Sequence, residues 1–382
     1  MADFPGTVRR FMQDSGFSLR GLARELNYDP SYLSKVLNGR KPCTPSIAAR
    51  LDDILGAGGE IVDAAAPPPG PDGRPLGSPG SLNGPVAPEL VDYFRDQLAG
   101  HYKADMFLGP RNLIPTVQTQ TELIVSLLKN AGTAVRRDLL GVGAAYTALL
   151  GWLYQDAGDL KASARWRDLT LGLAHRSSDA QLISYALTNK AMMAIDLGDG
   201  SAVVDFAQAA LADEPQLCPK VRVLALQHQA HGHAMLADRA QADRLLDTAE
   251  MLTGLVDDEY PWGNACRRTP SYVDVQRATC YGRTGRREDT ADAAALWGEI
   301  MSGMPGSLRR DNAVFRTRQA AALAAVPDPE RVTAIAADVA GLVQVTGSAR
   351  LRKELMALPR QATAWRNTPH GRQLRAIVGS VA

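Results

Sequence analysis

Between Ala57 and Pro88 the chain changes character: Pro67-Pro68-Pro69, Pro71, Pro75, Pro79, Pro85 and Pro88 are interleaved with Gly and Ser. Proline withholds a backbone donor, and a stretch this poor in apolar side chains cannot bury enough surface to offset the entropy of ordering it. The break predicts two separately folding parts on a tether, with boundaries at 1–56, 57–88 and 89–378. As a flexible coil of about 30 residues the tether spans about 30 Å, and its prolines extend that reach.

On either side of the break the pattern is helical. Ala and Leu dominate long segments of helical period, strand signals are scarce and aromatic residues make up only 6% of the chain, so the expected fold class is all-α. With 45% apolar and 22% charged residues the composition is globular. Net charge is +1, so any basic footprint for nucleic acid must be local. Cys43, Cys218, Cys266 and Cys280 lack the short paired spacing of a zinc ribbon or dithiol, and read as reduced thiols. Met1-Ala2-Asp3-Phe4-Pro5 lacks a signal-peptide pattern, and no stretch reaches about 18 apolar residues. A cytoplasmic protein without membrane contact is expected.

The segment from Ser18 to Arg40 reads as two short helices packed steeply. Ser18 caps a helix over Leu19–Leu26 that buries Leu22 and Leu26, and Ala23 leaves room for the second helix. Asn27 suits a turn that demands positive φ. Asp29 caps the next helix, Pro30 fits its first turn, and Leu33, Val36 and Leu37 form its apolar stripe. Ser31, Tyr32, Ser34 and Lys35 are then expected to face outward.

Leu19-Arg20-Gly21-Leu22-Ala23-Arg24-Glu25-Leu26-Asn27 and Ser31-Tyr32-Leu33-Ser34-Lys35-Val36-Leu37-Asn38-Gly39-Arg40 resemble the two core helices of the Cro/repressor-like (XRE) helix-turn-helix family. The likeness covers roughly residues 4–55, with Asn27 in place of the usual Gly and Pro30 where many members carry a DNA-contacting Gln. It implies a second helix that enters the major groove of double-stranded DNA. The DNA-contacting set it implies is Ser18, Arg20, Ser31, Tyr32, Ser34, Lys35, Asn38, Arg40 and Lys41. Between Asp3 and Lys41 the basic residues Arg9, Arg10, Arg20, Arg24, Lys35, Arg40 and Lys41 outnumber Asp3, Asp14, Glu25 and Asp29 by three. That surplus is thin for one copy, so a homodimer on a two-fold site is expected.

Beyond Glu89 a helix–corner–helix outline recurs. Its corners are Asp156-Ala157-Gly158-Asp159, Asp196-Leu197-Gly198-Asp199, Leu236-Ala237-Asp238 and Arg283-Thr284-Gly285-Arg286, at intervals of about 40, 40 and 47 residues. Gly ends the first helix of each pair and the polar residue beside it opens the second. Leu150-Gly151-Trp152-Leu153-Tyr154 with Gly158-Asp159 resembles the first helix of a tetratricopeptide repeat. The likeness is good over residues 139–212 and looser to about 340. With the reader in front, the chain looks like the large regulators of actinobacteria and, more distantly, like peptide-sensing quorum receptors.

Such solenoids are concave on the face made by the first helices. Counting back from the corners places Tyr185, Asn189 and Met192, then Gln227, His228 and His231, then Tyr272, Gln276, Thr279 and Arg283 on that face. The candidate ligand set is Tyr185, Asn189, Met192, Gln227, His231, Tyr272, Gln276 and Arg283. For Asn189 two readings stay open: pairing with a peptide-ligand backbone, which the resemblance implies, or bonding a neighbouring helix. His228, His231 and His233 do not share one helix face in metal-ligand order, and read as groove or surface residues. Trp152, Trp166 and Trp297 read as helix packing. No phosphate loop, nucleophile elbow or carboxylate pair stands out, so neither an enzyme nor a cofactor is expected. The leading function is a DNA-binding regulator, a repressor, gated by a peptide, small-molecule or protein effector on the repeats. The alternative is a scaffold whose repeats hold a partner protein.

Overall fold

The structure is a computed structural model that describes residues 4–26, 28–38, 43, 45–65, 86–105, 107–256, 271–304, 309–326 and 328–381. All regular structure among them is helical, and the chain divides into two compact units, 1–81 and 82–382. The turn reading of Asn27, the DNA-contact readings of Arg40 and Lys41, Cys266 and most of the tether lie outside the described residues.

The first unit comprises α1 (Phe4–Asp14), α2 (Leu19–Leu26), α3 (Pro30–Leu37), α4 (Pro45–Leu55) and α5 (Glu60–Ala65). Val8, Leu22, Ala23, Leu26, Leu33, Leu51 and Ile61 form its core, each fully shielded from solvent. Ile61 lies past the expected boundary at residue 56, which is therefore corrected: the unit continues through α5. Asp52 explains why. Its carboxylate accepts from the backbone N–H of Gly59 at 2.7 Å and of Ile61 at 3.0 Å, satisfying donors that the start of α5 would otherwise leave unpaired. Burying one Ile side chain stabilises by roughly 2–3 kcal/mol, enough to hold so short a helix in place.

The second unit opens with α6 (Glu89–Asp105) and α7 (Pro110–Leu127), and continues as six helical hairpins. These are α8 (Thr133–Asp156) with α9 (Leu160–Ser177), α10 (Ala180–Leu197) with α11 (Gly200–Ala210), and α12 (Pro219–Met235) with α13 (Arg239–Thr253). They are followed by α14 (Tyr272–Tyr281) with α15 (Arg287–Ser302), α16 (Arg309–Ala325) with α17 (Pro329–Thr346), and α18 (Ala349–Gln361) with α19 (Pro369–Gly379). The corner chemistry expected from sequence is present. Gly158, Gly198, Ala237 and Gly285 take φ of +89°, +77°, +62° and +72°, the left-handed turn that ends a helix. Asp159, Asp199 and Asp238 then accept from the N–H three residues on, at 2.9, 2.9 and 3.1 Å.

The first helices of the hairpins pack in succession, α8 on α10, α10 on α12, α12 on α14 and α16 on α18. Arg318 of α16 joins α14 by donating to Thr279 Oγ1 at 3.2 Å. The row then returns to its start. Ser348 donates to Asp156 Oδ1 at 2.6 Å across 192 residues of chain, Lys353 Nζ donates to the Asp196 carbonyl at 2.7 Å, and the Arg350 guanidinium lies 4.8 Å from the centre of the Trp152 ring. Gly109 permits this closure: a Cβ there would collide with the Thr346 carbonyl oxygen. The array is thus a ring with its first helices inside, rather than an open groove.

Candidate nucleic-acid interface and ligand cavity

In the first unit α2 and α3 occupy the spans expected from sequence. The Asp29 carboxylate accepts from the N–H of Ser31 at 2.9 Å and of Tyr32 at 3.1 Å, and from the Ser31 hydroxyl at 2.7 Å. The Ser31 hydroxyl and these two N–H groups hold the Asp29 carboxyl below its ordinary 3.8, because each bond favours the anion. Ser18 caps α2 through Gly21 N–H at 3.1 Å. At the far end of α3, Asn38 donates to the Ser34 carbonyl at 2.8 Å and accepts from Arg9 Nη2 at 2.7 Å, pinning α1 to the end of the helix.

Leu33, Val36 and Leu37 are buried, which turns Ser31, Ser34, Lys35 and Asn38 to the opposite side. Their spacing of three, four and seven residues makes one stripe. Tyr32 departs from the expectation: it is half-buried against the core, and its ring stacks on Tyr28 with centroids 5.4 Å apart. The stacking ties the first turn of α3 to the residue just before its cap. Arg20 and Arg24 are exposed on α2. Sequence reasoning missed the brace from Arg9 and the stacking of Tyr28, because neither belongs to the local two-helix pattern.

In the second unit the inner helices line a cavity of about 220 Å³, and a second of about 360 Å³ shares Ile195, Asp196, Arg283 and Arg350 with it. Of the expected ligand set, Met192, Gln227, His231, Tyr272, Gln276 and Arg283 line the first. Asn189 does not, and this corrects the peptide-pairing reading. Its side-chain oxygen accepts from Arg167 Nη1 at 2.9 Å and its Nδ2 donates to the Tyr185 carbonyl at 2.8 Å, so the amide already pairs both ends within the protein. Tyr185, one turn back, packs against the α8–α10 core and that of α12 and α13 instead of lining the cavity.

Arg167 is itself only 1% exposed. Besides Asn189 it donates to Gln155 Oε1 and, at 3.3 Å, to Ser163 Oγ, while Gln155 donates onward to Asp196 on the cavity wall. Burial lowers its pKa to about 10, which still leaves it charged at neutral pH. Gly151 makes room for it, since a Cβ there would come within 3.0 Å of Arg167 Cγ.

On the opposite wall, Arg283 Nη1 lies 2.7 Å from His231 Nδ1, and His231 Nε2 lies 2.9 Å from Gln276 Oε1. An arginine can only donate, so Nδ1 accepts and the proton sits on Nε2. Burial, reinforced by Arg283, drives the His231 pKa well below 6.5. Burial likewise takes His228 down to about 4, while its Nδ1 donates to the Leu224 carbonyl at 2.6 Å. Both rings are neutral at pH 7. Burial, seconded by the neighbouring Arg318, lowers Arg283 to about 10. Cys280, buried with its Sγ 3.2 Å from His231 Nδ1, is pushed up to about 12 by burial, so it stays a thiol. Cys43, Cys218 and Cys280 carry no disulfide.

The remaining wall comes from helices in which no ligand position was expected. Trp152 of α8, Val314, Phe315 and Arg318 of α16 and Arg350 of α18 line the cavity. Trp152 is thus more than packing, whereas Trp297 is buried and Trp166 stacks on Tyr154 at 6.5 Å. The α16 and α18 contributions were invisible in sequence because they follow the last recognisable corner. His233 faces away from this site, 3.5 Å from Asp238. Among the described residues no group of three His, Cys, Asp or Glu side chains is placed to hold a metal, and no helix is long and apolar enough to cross a membrane.

A search of curated proteins found no match to this chain. Residues 4–65 match a family model described as a helix-turn-helix domain, a span that ends where α5 ends. The N-terminal unit is a helix-turn-helix domain, which points to DNA as its partner.

Proposed function

We propose that the chain is a dimeric transcription repressor whose affinity for its DNA site is set by an effector held in the central cavity of the helical ring. The observation that carries the DNA half is the polar stripe Ser31, Ser34, Lys35 and Asn38 on a helix capped at both ends and backed by fully buried Leu33 and Val36. A helix held this rigidly delivers short polar side chains to base edges without a further ordering cost. Lys35 is the cation of that stripe, and Arg20 and Arg24 flank it to meet phosphates.

The effector half rests on the concave cavity, in which Gln227, His231, Gln276 and Arg283 stand among apolar side chains such as Trp152 and Phe315, the usual setting of a small-molecule site. For occupancy to alter DNA affinity, the effector must bind the DNA-competent and incompetent forms with different strength. Repression fits a reader that occludes a promoter, and dimerisation doubles the phosphate contacts of a weakly basic domain.

Electrophoretic mobility of DNA from the chain's own upstream region tests the reading. Wild type gives a specific shift, and an Arg20→Ala, Lys35→Ala double variant weakens it about tenfold or more, with a shallower salt dependence. An unchanged shift in the double variant removes α3 from the interface. Sedimentation of the full chain checks the dimer, and a monomer bound tightly to a single half-site overturns it.

A further inference from the structure

The cavity carries more cation than its hydrogen bonds consume. Arg283, Arg318 and Arg350 line it against Asp196 and Asp311. Arg318 is committed, since its Nε donates to Glu354 at 3.0 Å and its Nη1 to Thr279. Asp196 is committed too, to Gln155 and to Lys353, whose Nζ is 3.8 Å from its carboxylate. Arg283 and Arg350 form no direct ion pair among the described residues, and the carboxylate that acts on both, Glu354, is already bonded to Arg318. The Arg350 Nε is moreover buried without a hydrogen-bond partner, and its guanidinium is held over Trp152 instead. Both arginines also line the adjoining cavity, together with Lys353, Asp196 and Glu354, so the two spaces share one charged wall in which guanidinium and ammonium groups outnumber carboxylates by one. Low-dielectric walls concentrate the field of such charges on the space between them.

A second feature points the same way from the other side. His228 is 93% shielded, yet it lines the cavity, and its Nδ1 is occupied by the Leu224 carbonyl. Donation from Nδ1 leaves Nε2 as an acceptor, and no hydrogen bond to it is found among the described residues. A neutral imidazole lone pair that lines the same cavity as Arg283 and Arg350 suits a bound molecule carrying an O–H or N–H as well as a negative charge.

From this juxtaposition we infer that the effector is a compact organic anion, a carboxylate or phosphate ester, that carries a hydroxyl or amino donor next to its charge. Its anionic oxygens take the Arg283 and Arg350 guanidiniums, and its donor takes His228 Nε2. The carboxylate and the phosphate share this chemistry, because guanidinium forks bind either. Roughly 220 Å³ suits a small metabolite and not a folded partner segment. The inference rests on reading the cavity as an effector site, and names what fills it.

The test is calorimetric titration of the full chain without DNA, at constant ionic strength, using malate, succinate, glucose 6-phosphate and glucose as probes. Saturable binding is expected for at least one of the three anions and none for glucose. Arg350→Met keeps an unbranched stem over Trp152 but removes the charge, and should weaken that binding about tenfold or more while the thermal midpoint holds. His228→Phe should abolish any preference of malate over succinate, which differ by one hydroxyl. A phosphate-only response selects the ester, and a malate response selects the hydroxy acid. No saturable binding by any anion up to about 10 mM overturns the inference, as does binding indifferent to both Arg350→Met and Arg283→Gln. Because DNA is absent from the titration, failure of the DNA-binding reading leaves this result intact, and the reverse.

Discussion

The helix-turn-helix unit and the helical ring solve opposite packing problems. In the small unit every fully shielded side chain of the core is apolar, and the groups with a binding role stand on the surface of α3 and α2. In the ring, Arg167, His228, His231, Gln227 and Asn189 are all buried, and several of them wall the cavity. Stability and recognition are therefore separable in the first unit and share residues in the second. A mutation at Lys35 should alter binding alone, whereas one in the buried Arg167, Gln155 and Asn189 network that backs the cavity wall should alter stability and binding together.

Arg167→Met is the strongest way to break that contrast. It keeps the volume of the stem but strands Gln155 Oε1 and Asn189 Oδ1 in the interior, and should cost the ring about 3–5 kcal/mol in denaturant unfolding. A loss below about 1 kcal/mol would show that the buried network contributes no stability. On the other side of the comparison, Ile61→Ala should cost the small unit about 2–4 kcal/mol and leave the ring's transition unmoved. An unaffected small unit would return its boundary to residue 56.

Acid should separate the two units next. His228 titrates near 4 in the folded ring and at the ordinary 6.5 when unfolded, so the unfolded chain binds the proton first. The contribution of His228 to the ring's stability is present above pH 6.5 and falls by about 2–3 kcal/mol as the pH drops toward 4. His231 adds to the slope in the same direction. A His228→Phe variant should flatten the fall, and an unchanged slope would assign it elsewhere. The smallest effect belongs to Asp29, whose folded pKa lies below its unfolded one. Its contribution to α3 is present above pH 3.8 and lost as the pH falls through the lower folded value. An Asp29→Asn variant should blunt that acid response, read as α3 helicity by NMR of the full chain.

Much of this was legible along the chain wherever the signal was local. Asp29, Pro30 and the Leu33, Val36, Leu37 stripe specify α3 within a dozen residues, and Gly158-Asp159 or Gly198-Asp199 specify a corner within two. Six of the eight expected ligand positions reached the cavity, because counting back from a corner fixes a helix face. Asn189 failed on one detail that spacing does not carry, the arginine 22 residues earlier that occupies its amide.

What the sequence determined by itself is the set of helices, their caps and the helix-turn-helix at the front, since these depend on dihedral preferences and on periods of three and four residues. Ring closure was decided only in three dimensions. Ser348 meets Asp156 and Arg350 meets Trp152 after about 190 residues of accumulated curvature. Small rotations at every hairpin sum to that closure, and no local pattern records their total. The cavity, its two arginines without direct ion pairs and the acceptor on His228 follow from it.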